Sequence, residues 1–345
     1  MTRVLSWALV AAFLPAAAEA PVPAIERLDP PSQGFYAKRL AVRGIPILAH
    51  ADVSDAALGE AARRLERLLG RAPAIAANLA ALGAELHVIG KDQAVTDLPE
   101  YRHMKGKPFE GTQTMDERGR GYGGIHSSCG EENLLRLPSD RWKDHRDICS
   151  HEFAHGIFGY GLDRALRERV EAQWRRAMAA GKWPGAYAAT HPHEYFAELT
   201  MWYVGSRGDY GTLDPTPSPG ARWLAGYDPE GYALLDAIYA GRLAPGRTEV
   251  EDLAARPADE EGRVKSLGGQ PATEMIFLNR TGAMLRLFWL DFEGRRKGYG
   301  AVPPGGVASE STCAAHAWLV EREDGAVVGI YVAGRAVGRV VVAER

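Results

Sequence analysis

Cysteine is scarce: three among 345 residues allow one disulfide at most and leave one thiol over. Charge of one sign is missing too. Forty-one Lys and Arg against 44 Asp and Glu give a net −3, with no basic stripe and no nucleic-acid motif, so no nucleic-acid partner is expected. Beyond the first 20 residues no apolar run is long enough to cross a bilayer, so no stable membrane insertion is expected. The glycines of Gly119–Gly124 lack the lysine context of a P-loop and do not require a phosphate ligand.

What is present begins with a leader. Val4–Leu14 is apolar but too short to span, and small residues follow, ending Ala18-Glu19-Ala20. The pattern predicts a signal peptide over 1–20, cleaved after Ala20, and a secreted or periplasmic protein. No cysteine stands at the cleavage site, so no lipid anchor is expected there. About 325 remaining residues, in a chain 46% hydrophobic, suffice for two domains with buried cores.

The densest chemistry lies at Ile148–Phe158, which contains HExxH as His151, Glu152, Phe153, Ala154 and His155. Residues four apart on a helix are separated by about 40°, so both imidazoles can reach one ion. Glu152, one step round, can take a proton from a metal-bound water without binding the metal itself. A chance HExxH on an amphipathic helix would need no second segment, whereas a metal site needs a third ligand. His193–Tyr203 offers one. It has helical apolar spacing, a Pro192 start after Thr190, and Glu194 and Glu198 four apart on one face. Catalytic zinc commonly takes two histidines and a glutamate, leaving a fourth position for water. Glu194 is therefore expected on one Zn2+ per chain, and Glu198 behind His151, accepting its outer N–H. Rival third ligands are Glu198 itself and Asp214 in Gly211-Thr212-Leu213-Asp214. His191 and His193 read as surface residues or substrate contacts. An extended HExxHxxGxxH pattern fails, because Phe158 and Gly161 occupy the glycine and histidine positions.

HEFAH followed by EYFAE, with Tyr187 seven residues before Glu194, resembles the zinc peptidase family of anthrax lethal factor and its relatives, a gluzincin-like group. The resemblance covers about Ala84–Gly241 and is specific near Cys149–Phe158 and Tyr187–Tyr203. It implies an α+β zincin-like metallopeptidase domain in which the Tyr187 phenol faces the metal and stabilises an oxyanion or protonates the leaving amine. In zinc peptidases of this shape an edge strand beside the metal pairs with extended substrate, and Gly123–Ser128 or Leu134–Leu137 is the expected place.

Around this centre, Cys129 and Cys149 flank the approach to the metal helix and are the expected pair, closing a loop of about 20 residues and stabilising by roughly 3 kcal/mol. Three unpaired thiols remain the alternative. Pairing of those two leaves Cys313 free. A strand is expected at Leu40–Ile47, and a helix from Asp55 to about Leu69 capped by Ser54, with Glu60, Arg63, Arg64 and Arg67 on its solvated side. Pro73 opens a helix that Gly83 closes, and Glu85–Gly90 reads as a strand whose His87 is structural. Helices follow at Asp163–Met178 and Pro229–Tyr239.

After Leu243 the composition changes. Residues 246–269 read as a polar linker, and Met275–Asn279, Leu285–Asp291, Ala317–Glu321, Val327–Val332 and Ala336–Ala343 as strands. IFLNR, WLDFEG, YGAVPPG and HAWLV in order resemble the β domain of the von Hippel–Lindau tumour suppressor. That resemblance implies a small all-β sandwich over 270–345. Its pocket for a hydroxylated proline would be Tyr299, Thr312, His316 and Trp318, with threonine standing where that family has serine. A retained fold whose aromatics merely pack is the alternative, and no ligase role is implied.

The combined expectation is an exported zinc endopeptidase: signal 1–20, peptidase domain 21–245, linker 246–269 and β domain 270–345. Its partners would be a peptide or protein substrate and a proline-containing ligand of the β domain. A non-catalytic binding protein on a peptidase-like scaffold, or a zinc hydrolase of non-peptide amides, are the rivals.

Overall fold

A computed structural model describes residues 23–344, so the expected signal segment lies outside the described residues. The N-terminal half is α+β. One sheet contains β1 (Glu26–Ser32), β2 (Tyr36–Val42), β3 (Ile45–His50), β4 (Glu85–Ile89), β7 (Gly121–Tyr122) and β8 (His126–Gly130), in the order β1-β2-β3-β4-β8-β7. The hairpin of β5 (Pro108–Glu110) and β6 (Gln113–Thr114) stands apart from it. β3, β4 and β8 run parallel, and β7 returns antiparallel as the edge strand. The single strand expected at Leu40–Ile47 is two strands. Arg43 and Gly44 make a two-residue turn between them with φ of 53° and 84°, the geometry that suits a hairpin's twist.

Helix α1 (Asp55–Leu69) starts where the Ser54 hydroxyl accepts the Ala57 N–H and buries Leu58, Leu65 and Leu69. One of its expected solvated cations turns inward, Arg64 pairing with buried Asp147 at 2.8 Å, whereas Arg67 stays exposed while donating to the Val204 carbonyl at 3.0 Å. Helix α2 (Pro73–Leu82) ends at Gly83 in the left-handed region, φ 79°. Two one-turn helices follow, α3 (Met115–Arg118) and α4 (Glu131–Leu134). Leu134–Leu137 is therefore no strand: the chain leaves β8 at Gly130 directly into α4, and the sheet edge nearest the HExxH helix is β7.

That helix, α5 (Ile148–Gly156), continues into a π-helical turn over Ile157–Gly161. It is followed by α6 (Arg164–Ala179), α7 (Pro192–Tyr203), α8 (Ala221–Tyr227) and α9 (Pro229–Tyr239). Cys129 and Cys149 form a disulfide joining β8 to α5, with Cα atoms 5.0 Å apart, and Cys313 is free. No helix among the described residues is long and apolar enough to cross a membrane.

The C-terminal region is all β. Strands β9 (Val250–Asp252), β10 (Ala272–Arg280), β13 (Val307–Cys313) and β16 (Val337–Ala343) make one sheet, ordered β13-β10-β16-β9. β11 (Leu285–Leu290), β12 (Arg296–Val302), β14 (Ala317–Arg322) and β15 (Val327–Val332) make the other, ordered β12-β11-β14-β15. Residues 246–269 are built into this region rather than strung beside it. β9 pairs in parallel with β16, Arg256 bridges Ile330, and buried Ser266 donates to the Leu290 carbonyl. Strand β10 alternates between two cores: Met275 and Phe277 face the sandwich, while Ile276 and Leu278 join the core of the N-terminal half.

Candidate metal centre

The start of α5 is fixed from three sides. Asp147 caps it by accepting the Ser150 N–H at 3.2 Å, Arg64 pairs with that cap, and the Asn133 side chain accepts the Ile148 N–H at 3.0 Å. Its rotation is thereby set, with His151 and His155 turned toward α7. The edge strand and the residue after it lie against this helix through two glycines, Gly121 and Gly123. A Cβ on Gly123 would stand 2.5 Å from the His155 Cβ, and one on Gly121 would stand 2.9 Å from the Glu152 Cγ. Helix α7 begins at Pro192 as expected and is capped by His191, whose Nδ1 accepts the His193 N–H at 3.2 Å.

Three donor atoms meet where the two helices face each other. His151 Nε2 lies 3.2 Å from His155 Nε2, and Glu194 Oε2 lies 3.3 Å from the first and 3.4 Å from the second. Bonds of about 2.0–2.1 Å to a tetrahedral ion require donor separations of about 3.3–3.4 Å, so the triangle has the size such an ion needs. The carboxylate oxygen at its corner is buried and has no hydrogen-bond partner. Burial alone would push the Glu194 carboxyl up, but the two imidazoles against it bring it well below the usual carboxylate range. The donor set, its spacing and its unpartnered oxygen all suit a divalent ion.

Glu198 is buried behind this triangle, its Oε1 3.4 Å from His151 Nδ1. Its other oxygen accepts the Asp209 N–H, and the Asp209 carboxylate in turn accepts the Tyr187 N–H at 2.6 Å. Asp209 thus couples the residue behind His151 to the tyrosine in front of it, through a loop whose residue types carry no signal of the role. Gly208 lets that loop close, since a Cβ there would stand 2.5 Å from the Glu198 Oε2. The Tyr187 ring stacks over His151 with centroids 6.5 Å apart and planes at 18°, and Arg118, which pairs with Glu110, lines the same cleft. Glu152 has a carboxylate oxygen within 4.8 Å of ring nitrogens of both histidines. Its pKa is raised, chiefly by burial.

The group opens into a cleft of about 880 Å³ lined also by Tyr122, Arg146 and Tyr160. His193 lines the cleft with its ring 4.2 Å from that of Phe158, whereas His191 is exposed. Asp214 is exposed and does not line the cleft. Arg118 and Asp209 are the site residues that sequence reasoning missed.

A second group, Glu85, His87 and His126, is buried on β4 and β8. Glu85 pairs with Arg280 of β10, and the far side of His87 meets Glu100 and the Tyr36 hydroxyl.

In the C-terminal region the four expected pocket residues come together. Thr312 Oγ1 lies 3.0 Å from His316 Nδ1 and accepts the Trp318 Nε1 hydrogen at 3.1 Å. The half-exposed Tyr299 ring meets Trp318 edge-on with centroids 4.8 Å apart. Trp289 packs on His316, centroids 5.3 Å apart, and its own Nε1 is buried without a partner.

No curated protein matches the chain. The family model of the VHL beta domain matches residues 264–334, well under half of the chain, and that segment takes in β10 to β15 and the whole Tyr299–Thr312–His316–Trp318 group.

Proposed function

We propose that this protein is an exported zinc-dependent endopeptidase, with one zinc held by His151, His155 and Glu194. The observation that carries the reading is the near-equilateral triangle of donor atoms, 3.2 to 3.4 Å on a side, with a buried carboxylate oxygen that has no other partner. When bound, the ion supplies Lewis acidity, which lowers the pKa of a water toward about 7 and polarises a carbonyl.

The chain's own groups do the rest. Glu152 sits beside the histidines and is the base that takes the proton from the attacking water and passes it to the leaving amine. The Tyr187 phenol, held over His151 in the cleft, donates a hydrogen bond to the oxyanion of the scissile carbonyl. Glu198, 3.4 Å from the otherwise unpartnered His151 Nδ1, is the carboxylate placed to orient that ring. The free edge of β7 pairs main chain to main chain with extended substrate. The aromatic group at Tyr299, Thr312, His316 and Trp318 is the binding surface for a proline-containing ligand. The leader sequence and the disulfide support export.

The test is Glu152→Gln. The variant should keep stoichiometric zinc while its cleavage of casein falls by about 10²-fold or more. Undiminished cleavage would refute the base assignment. A wild-type chain that holds zinc yet cuts no member of a proteome-derived peptide pool would refute the peptidase and favour hydrolysis of non-peptide amides or a binding role.

A further inference from the structure

The cleft does not stop at the helices. A second cavity of about 370 Å³ shares Phe109, Gly123, Gly124 and Tyr160 with it, so the two adjoin. Strand β13 of the C-terminal region runs along both. Val307 and Ser309 line the far cavity and Ser311 lines the cleft. These three alternate residues share one strand face. The opposite face belongs to the sandwich, where Ala308 joins the core and Thr312 bonds Trp318. On β10, Glu274 is opposite Ser311 and also lines the cleft, while Leu278 is opposite Val307.

From Ser311 to Val307 a strand rises about 13 Å at ~3.4 Å per residue, the length of four residues of extended chain. The wall is held in place. Ile276 and Leu278 are part of the N-terminal core, Arg280 pairs with buried Glu85, and Arg339 donates to the Ala81 carbonyl at 2.7 Å. The far end of the groove is apolar, with Met104, Met115, Ile125, Pro303 and Val307 among its lining.

We propose that the β domain is a wall of the substrate groove. Its occupant is an extended segment of the polypeptide being cut, which places a large apolar side chain in the far cavity, several residues from the scissile bond. This rests on the peptidase reading and names the substrate class: unfolded or loop segments with a Leu-, Met- or Phe-like residue at that distance. Two adjoining cavities along one strand, polar near the metal centre and apolar at the far end, favour this occupant over a compact small molecule.

The test uses the full chain and a pool of casein-derived 15-residue peptides, with cut sites read by mass spectrometry. The wild type should enrich a large apolar residue three to five positions from the cut, on one side. Val307→Arg should abolish that enrichment and lower kcat/KM for those peptides by about tenfold or more, chiefly through KM. Ser311→Trp, at an exposed position that leaves folding undisturbed, should do the same by narrowing the groove, and Val307→Ile should restore the wild-type pattern. An unbiased wild-type profile, or variants that cut the same sites at the same rate, overturns the proposal. If the wild type cuts nothing, the peptidase reading fails separately. Binding of the same peptides, fluorescein-labelled, to Glu152→Gln then decides the groove: tenfold weaker binding on adding Val307→Arg supports it, and unchanged binding overturns it.

Discussion

Two groups of two histidines and one glutamate lie within the N-terminal half, and they differ in what surrounds them. In the His151–His155–Glu194 group the three donor atoms are evenly spaced, the cleft reaches them, and the carboxylate oxygen they share has no other partner. In the Glu85–His87–His126 group the spacing is uneven: His87 Nε2 lies 3.0 Å from Glu85 Oε2, and His126 Nε2 lies 3.8 Å from it. Counter-charges already surround the second group. Arg280 takes Glu85, while Glu100 and Tyr36 take His87. The same residue types therefore make a candidate ion site in one place and an ionic joint between the two halves in the other. The deciding feature is whether the carboxylate has been neutralised by something other than an ion.

That contrast can be broken most severely at the ligands. His151→Ala or Glu194→Gln should weaken zinc binding by more than the factor of about 100 that an outer partner is worth, read by competition with a chelator. The same substitutions should leave the Glu85 group intact. Glu198→Gln should cost about 10- to 100-fold in zinc affinity through loss of the His151 orientation. Arg280→Met should do the reverse, leaving zinc in place but destabilising the fold. Glu85 is buried and loses its cation, so a penalty of about 2 kcal/mol in urea unfolding is expected. That is less than the ~3–5 kcal/mol of a fully buried pair, because the Arg280 side chain is 28% exposed.

The smallest effect is on pH dependence. Burial would lower the His87 pKa, but Glu100 and Glu85 outweigh it and raise it to about 9. An unfolded histidine titrates near about 6.5, so the stabilisation is fully present below that pH and is lost as pH rises through about 9. Urea midpoints should fall between pH 6.5 and 9.5 in the wild type and fall less in His87→Gln.

Much of the centre was legible because helical spacing is local. HExxH and the Glu194–Glu198 pair each lie within two turns, so the sequence alone predicts which side chains share a face. The helix over Pro229–Tyr239 was equally plain from its proline start and apolar spacing. What stayed hidden depends on contacts between distant segments. Arg118 comes to the cleft from the short helix α3, and Asp209 reaches Glu198 only because a separate loop closes over the helices. The β2–β3 hairpin looks like one strand in the sequence because Arg43 occupies a positive-φ position where Asn or Asp would mark a turn. β13, Val-Ala-Ser-Glu-Ser-Thr-Cys, alternates between two surfaces that are each only partly buried, so it carries no apolar rhythm. β9 was lost in a polar stretch, because three residues pairing with β16 leave no pattern of their own.

The most direct test of the central claim is the metal content of purified, zinc-dialysed full-length protein by mass spectrometry. The account predicts one zinc per chain in the wild type, none in His151→Ala, and one in His126→Gln. A wild type that takes up no metal, or a zinc that leaves with His126 and stays without His151, would contradict it.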